Sequence, residues 1–274
     1  MNTAHEEAMR GLSPLHRFLF NLRPAWLASW LKRVLGIKRA VMETEAGRFY
    51  ADPVSHFYAY SRVPGGYEPL LTSCVRSMLQ PGDTFLDVGA NESYFSILAS
   101  SLVGPDGLVV AVEPQQRLNA VIQRNICENS AHNILSLRYA ISDSDGKSEF
   151  FLAPDINTGY SGLFRTAKYS LPTEIVPTIT LQRLAKMLSL KKVKLMKLDV
   201  ESYEYEVILG SKPLFESDII ENIVLELHPS VLEQRGKRVE DIEEFLLSAG
   251  YKKDDEFGKV GAGHRDGMLF RKQV

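Results

Sequence analysis

Residues 85–96 read Phe85-Leu86-Asp87-Val88-Gly89-Ala90-Asn91-Glu92-Ser93-Tyr94-Phe95-Ser96, and the rest of the chain can be placed from this run. An apolar segment ends in Asp87 and passes through Gly89 into residues that fit the start of a helix. A glycine turn between a strand and a helix N-terminus leaves free N–H groups and lets a ligand approach the backbone. Such a turn suits a nucleotide-like ligand. The dinucleotide fingerprint G-x-G-x-x-G is not met, because Asn91 and Tyr94 stand where later glycines belong. Asp87 also argues against a pyrophosphate, since a carboxylate repels phosphate but accepts hydrogen bonds from an ammonium group.

Outward from this turn, short apolar runs alternate with amphipathic ones. Strands are expected over 84–88, 108–112 and 134–141, and helices over 67–79, 94–102 and 117–129. Farther on, the pattern predicts strands at 147–153, 174–180, 193–200 and 222–227, helices at 181–188, 203–209 and 239–249, and two closing strands near 251–255 and 268–271. Near-continuous Val, Leu, Ile and Phe mark strands buried on both faces, as a parallel sheet between helices requires. The fold class is therefore α/β, a doubly wound sheet that is mostly parallel with an antiparallel end. The loop at 154–172, which holds Asn157, Gly159, Ser161 and Gly162, is expected at the open edge of a site.

The chain has 274 residues, 45% of them apolar and 24% charged, with a formal net charge of -2. This balance excludes a disordered chain and argues against a dedicated nucleic-acid binder. Two cysteines, Cys74 and Cys127, stand in no metal-ligand spacing; they fit a reduced, cytoplasmic protein and read as small buried hydrophobes. Residues 8–42, however, carry Arg10, Arg17, Arg23, Lys32, Arg33, Lys38 and Arg39 and no acid. Glu6 and Glu7 precede this stretch and Arg23-Pro24 interrupts its apolar run, so it reads as neither a secretory signal nor a membrane span. Trp26, Leu27, Trp30, Leu31, Val34 and Leu35 recur at helical spacing and predict a basic amphipathic helix. Its apolar face either meets an anionic membrane or an acidic partner, or packs both tryptophans on the domain. Breaks at Pro53 and at Pro64-Gly65-Gly66 place a boundary between an N-terminal extension, 1–62, and a domain over 63–274.

Three strand ends carry candidate ligands. Gly89 closes the first. About 24 residues on, the second ends at Glu113-Pro114, where a carboxylate can take both hydroxyls of a ribose. The third ends at Ser142-Asp143, within reach of an adenine amine or simply in a turn. Together they outline an adenosine site without phosphate machinery.

These motifs, with Lys197-Leu198-Asp199-Val200-Glu201, Glu204 and Val224-Leu225-Glu226-Leu227-His228, resemble the FkbM-type methyltransferases over residues 66–272. The resemblance implies a class I, Rossmann-like fold, S-adenosylmethionine as methyl donor, and a hydroxyl on a sugar, polyketide or glycan-like acceptor. It implies that Asp87, Gly89 and Asn91 hold the methionine end, Glu113 the ribose and Asp143 the adenine side, with Asp199 and Glu201 facing the sulfonium and the acceptor. Ser93 and Ser202 depart from the family, which usually has Gly at both positions. Ser93 can cap an N–H in a helical first turn, whereas Ser202 is strained if its φ is positive. The departures motivate an alternative, a lapsed enzyme kept as a binding or membrane-associated module. For an active enzyme, His228 is the first candidate for a general base because histidine titrates near neutrality, with Asp199 and Glu201 competing as bases or ion ligands. No tight ligand spacing exists, so no metal is assigned. His264 could enter from a glycine-rich loop, and Tyr67 and Glu68 either close over the donor or merely start a helix.

Overall fold

The computed structural model describes residues 3–164, 172–257 and 267–273. Helices α1 (Thr3–Arg10), α2 (Pro14–Asn21) and α3 (Ala25–Val34) precede a hairpin of β1 (Ala40–Thr44) and β2 (Gly47–Ala51) and the short α4 (His56–Tyr60). Next come α5 (Pro69–Met78), β3 (Thr84–Val88), α6 (Tyr94–Val103), β4 (Leu108–Val112), α7 (Gln116–Glu128), β5 (Ile134–Leu137) and β6 (Ala140–Ile141). After β7 (Gly146–Phe151), a 3-10 helix over Asp155–Tyr160 leads to β8 (Thr173–Ile179), α8 (Leu181–Met187), β9 (Leu195–Leu198), α9 (Glu204–Leu209) and α10 (Lys212–Glu216). The chain closes with β10 (Asn222–Leu225), α11 (Pro229–Gln234), α12 (Val239–Ser248), β11 (Tyr251–Lys253) and β12 (Met268–Lys272).

The seven-stranded sheet has the order β11-β12-β10-β9-β3-β4-β5. From β10 to β5 every pairing is parallel, and β9 and β10 are buried at all four positions, which is why their sequences are apolar runs. Strand β12 runs antiparallel to both β10 and β11, so β11 lies parallel to the body of the sheet and the antiparallel end is this one inserted strand. The chain leaves β3 in one direction toward β4 and β5, then returns to β9 on the other side of β3. This reversal opens a crevice beyond the carboxyl ends of β3 and β9, where ligands of open α/β sheets bind.

Three expectations are corrected. The strand at 134–141 divides after Leu137: β6 leaves the main sheet and joins β8 and β7 in a separate three-stranded sheet that also takes the strands expected at 147–153 and 174–180. Residues 40–51, where no strand is expected and Gly47 reads as a break, form the β1–β2 hairpin. Cys127 is exposed, although Cys74 is buried as expected.

The hairpin is held by α7 and by the residue that caps it. Asn125 Oδ1 accepts the N–H of Tyr50 at 2.7 Å, and Asn129 accepts the N–H of Arg48 at 2.9 Å while donating to its carbonyl at 2.7 Å. Phe49 and Phe57 share one apolar cluster with Phe85 and Phe95 of the sheet and α6, so the extension covers the sheet.

Candidate functional site

A cavity of about 570 Å³ lies at the crevice, within the range of small-molecule sites. Gly89, Asn91, Glu113, Asp199 and Glu201 line it, joined by Glu68, Lys197 and Glu226.

Gly89 has a φ of 82°, and a Cβ there would overlap the carbonyl oxygen of Asp199. Only glycine lets the β3 turn come this close to the end of β9. Lys197, buried on β9, ties the two together: its Nζ donates to the Gly89 carbonyl and to Asp199 Oδ2, both at 3.1 Å. Burial lowers the Lys197 pKa, but the charges of Asp199, Asp87, Glu68 and Glu226 outweigh it and hold the ammonium charged.

Asp87 is fully buried beneath the cavity floor rather than lining it, and accepts a hydrogen bond from Ser96 Oγ at 2.5 Å. Its other oxygen, Oδ1, has no partner among the described residues, nor has Asp199 Oδ1. Glu113 is buried, and its carboxylate accepts the N–H of Asn91 at 2.9 Å and that of Gln115 at 3.0 Å, which pins the glycine turn to the second strand end. Asn91 Oδ1 accepts from Thr158 Oγ1 at 2.8 Å, so this side chain holds the 3-10 helix over the cleft. Arg117 reinforces that roof, donating to Asp155 at 2.9 Å and Ser161 at 3.1 Å. The loop expected at the site's edge is therefore in part its roof, although 165–171 lie outside the described residues.

Asp143 is exposed and does not line the cavity; Tyr139, Ala140 and Ile141 form that wall instead. His228 sits just behind the lining, its Nε2 3.4 Å from Glu201 and its Nδ1 3.5 Å from Glu204. Burial lowers its pKa, but the close Glu204 carboxylate, with the charges of Glu201 and Asp199, raises it to about 9. The expectation that His228 titrates near neutrality is corrected: at pH 7 it is an imidazolium, a poor base. Burial, then Asp199, pushes Glu201 well above the usual carboxylate range. Burial, with Asp199 and Glu68, pushes Glu226 up to about 10, and burial raises Glu68 to about 7. Asp199, Glu226 and His228 bring ligand atoms within 4.8 Å of one another, a grouping that the sequence spacing did not show and that could hold an ion. His264 lies outside the described residues.

Ser93 and Ser202 both have positive φ, 65° and 77°. The Ser93 hydroxyl caps no N–H; it donates to the Glu92 carbonyl at 2.6 Å. The residues missed from sequence were Lys197 and Glu226, each a charged side chain inside or ending an apolar strand. A lysine within a buried run needs carboxylates around it, and that was the available signal.

The cleft thus gathers Glu68, Asp199, Glu201 and Glu226 around Lys197, with Glu113 on its wall. That surplus favours a cationic ligand and disfavours a phosphate-bearing one. A 56-residue segment is 34% identical to arsenite methyltransferase from Halobacterium salinarum; the match covers 20% of this chain and spans 14% of that protein. Among solved structures, the methyltransferase FkbM from Methylobacillus flagellatus is 11% identical with a TM-score of 0.46, covering 98% of this chain and 58% of that one. Fibrillarin from Aeropyrum pernix, solved with natively bound S-adenosyl-L-methionine, is 11% identical with a TM-score of 0.44, covering 74% of this chain and 73% of that one. The family model described as the methyltransferase FkbM domain matches residues 87–253, from the aspartate before the glycine turn to the end of β11. With the glycine turn, the buried Glu113 and the carboxylate-lined switch point in one cleft, this chain belongs to the FkbM methyltransferase family, whose methyl donor is S-adenosylmethionine.

Proposed function

We propose that this protein transfers a methyl group from S-adenosylmethionine to a hydroxyl of a sugar, polyketide or glycan-like acceptor. The observation that supports this most is the carboxyl-rich cleft beside a turn where Gly89 has no room for a side chain. The residues present fit the donor. Asp199 lines the cavity and has a buried oxygen without a partner among the described residues, and in this reading Glu113, which also lines it, takes the ribose.

When bound, the donor supplies a methyl carbon already activated on a cationic sulfur. The chain then orients the acceptor oxygen and takes one proton as the new O–C bond forms and the S–C bond breaks, leaving S-adenosylhomocysteine. Asp199 is the base we assign. Lys197 holds its Oδ2 while Oδ1 is buried without a partner among the described residues, whereas Glu201 and His228 both hold protons more tightly than their ordinary values imply. His228 positions Glu201 and carries positive charge at the edge of the site.

The test is isothermal titration of S-adenosylmethionine and S-adenosylhomocysteine, followed by transfer of labelled methyl to a panel of hydroxyl acceptors. Binding of both, with transfer at saturating donor lost in Asp199→Asn, supports the proposal. Absence of donor binding overturns it in favour of a lapsed, binding-only fold, the reading that the strained Ser93 and Ser202 would favour.

A further inference from the structure

The helix at 25–34 does not pack its tryptophans on the domain. Trp26 is 63% exposed and Trp30 54%, and Val34 follows one turn later at 63%. Positions 26, 30 and 34 form one stripe, while Ala25, Ala28 and Lys32 face the opposite way. That inner face is anchored: Ala28 is fully buried with Leu19, Val54 and Ile156, and Lys32 pairs with the buried Asp52. The outward direction of the tryptophans is therefore fixed by packing on the other side. Helix α2 adds Leu15, 46% exposed, and Phe18, 58%, and the cap of α3 adds Leu35, 51%.

These six account for half of the exposed large hydrophobic side chains among the described residues, all within positions 15–35. Scattered exposed apolar residues need no explanation, but so many gathered on two helices packed against each other mark a docking surface. Its rim is cationic. Arg17, Arg23 and Lys38 make no ion pair among the described residues, and residues 8–42 contain no acid to oppose an anionic surface. Exposed tryptophans beside basic side chains match the chemistry of a bilayer interface, where indole rings sit at headgroup level and Lys and Arg meet anionic lipid. No helix among the described residues is long and apolar enough to cross a membrane, so the contact is one that lies on the surface.

We propose that α2 and α3 dock this protein on an anionic lipid bilayer through Trp26, Trp30, Phe18 and the adjoining basic residues. The face of α3 opposite the tryptophans rests on the roof of the cleft: it packs against the 3-10 helix through Ala28 and Ile156, and Arg33 lies 3.9 Å from Asp155. Docking therefore sets the roof of the cleft beside the headgroups.

Trp26 and Trp30 are the only tryptophans in the chain, so selectively excited tryptophan emission reads this face alone. The full chain is mixed with vesicles of phosphatidylcholine, or of equal parts phosphatidylcholine and phosphatidylglycerol, and followed by emission and by co-sedimentation. Expected are a blue shift and sedimentation with the mixed vesicles, weakened by salt, and little of either with phosphatidylcholine alone. Arg17→Gln, Arg23→Gln and Lys38→Gln together should lower the partition coefficient on the order of 100-fold, from roughly fivefold per basic residue. Trp26→Ser with Trp30→Ser should abolish sedimentation at an unchanged melting temperature. Unshifted emission with the protein left in the supernatant would overturn the proposal. So would equal, salt-insensitive binding to both vesicle types, or emission already blue-shifted without lipid in a particle of dimer mass, which would make a second copy the occupant. None of these readouts depends on donor binding or methyl transfer.

Discussion

Ser202 offers a test of how a serine is carried at a position that usually belongs to glycine. Its φ of 77° costs about 1–2 kcal/mol for a residue with a Cβ. Its hydroxyl is buried with no partner among the described residues, worth about 1–3 kcal/mol against the folded state. Glycine relieves both and loses about 0.5–1 kcal/mol to its freer unfolded chain. The turn's backbone bonds, from the Ser202 N–H to Glu204 at 3.0 Å and from Arg235 to the Ser202 carbonyl, do not involve the side chain and persist. Ser202→Gly should therefore stabilise the protein by about 1–4 kcal/mol, a rise in Tm on the order of 5 °C for a chain of this size. Ser93→Gly is the control. Its φ of 65° gives the same relief, but its hydroxyl bond to Glu92 is lost, so the net change should be about zero. Ser202→Ala, which removes the hydroxyl and keeps the strain, should fall between wild type and Ser202→Gly. Urea denaturation followed by circular dichroism measures all three. The reasoning is refuted if Ser93→Gly gains as much as Ser202→Gly, or if Ser202→Ala gains the whole amount.

Gly89→Ala should destabilise by more than about 3 kcal/mol and abolish donor binding, because the new methyl group must force β3 from β9 against the Asp199 carbonyl; denaturation and calorimetry read the two effects separately. The ligand-free protein should lose stability between pH 5 and pH 9. Glu68 is raised to about 7 and His228 to about 9, and a group with a raised folded pKa contributes stability below its unfolded pKa and loses it as pH rises through the folded one. A melting temperature that climbs over this window would contradict the assignments. Affinity for the cationic donor should run the other way, increasing about tenfold from pH 6 to pH 8 as Glu68 ionises, with a flatter profile for the uncharged-sulfur product. Donor affinity should survive EDTA, because at neutral pH His228 holds a proton that a metal would have to displace; loss of affinity, restored by added divalent ion, would place a cation at Asp199 and Glu226.

Much of the fold was legible because a sheet buried on both faces writes itself as apolar runs, and the turn at Gly89 needs a residue type that few other positions demand. The β1–β2 hairpin was not legible, since Asn125 and Asn129, far along the chain, satisfy its edge. The division of 134–141 follows from a change of sheet, which local pattern does not encode. Site residues divided in the same way. Glu113 could be placed from its position at a strand end, but its bonds to Asn91 and Gln115 belong to the folded turn. Asp143 shared that kind of position and turned outward. His228 was visible as a histidine after a strand, yet its proton affinity is set by Glu201 and Glu204 from the loop after β9 and from α9.

The same comparison explains why Lys197 belongs to the site. A lone buried lysine would be expected to shed its proton, yet Asp199, Asp87, Glu68 and Glu226 keep it charged. One cation cannot balance four carboxylates, and in the free protein part of that excess is met by protons on Glu226 and, below neutrality, on Glu68. A donor carrying a sulfonium and an ammonium group supplies the missing positive charge without a proton. The product keeps the ammonium and loses the sulfonium, so it returns the cleft toward its protonated state. The charge imbalance that makes the empty site costly is thus the same one that distinguishes donor from product, and the steeper pH dependence of donor affinity is its measurable consequence.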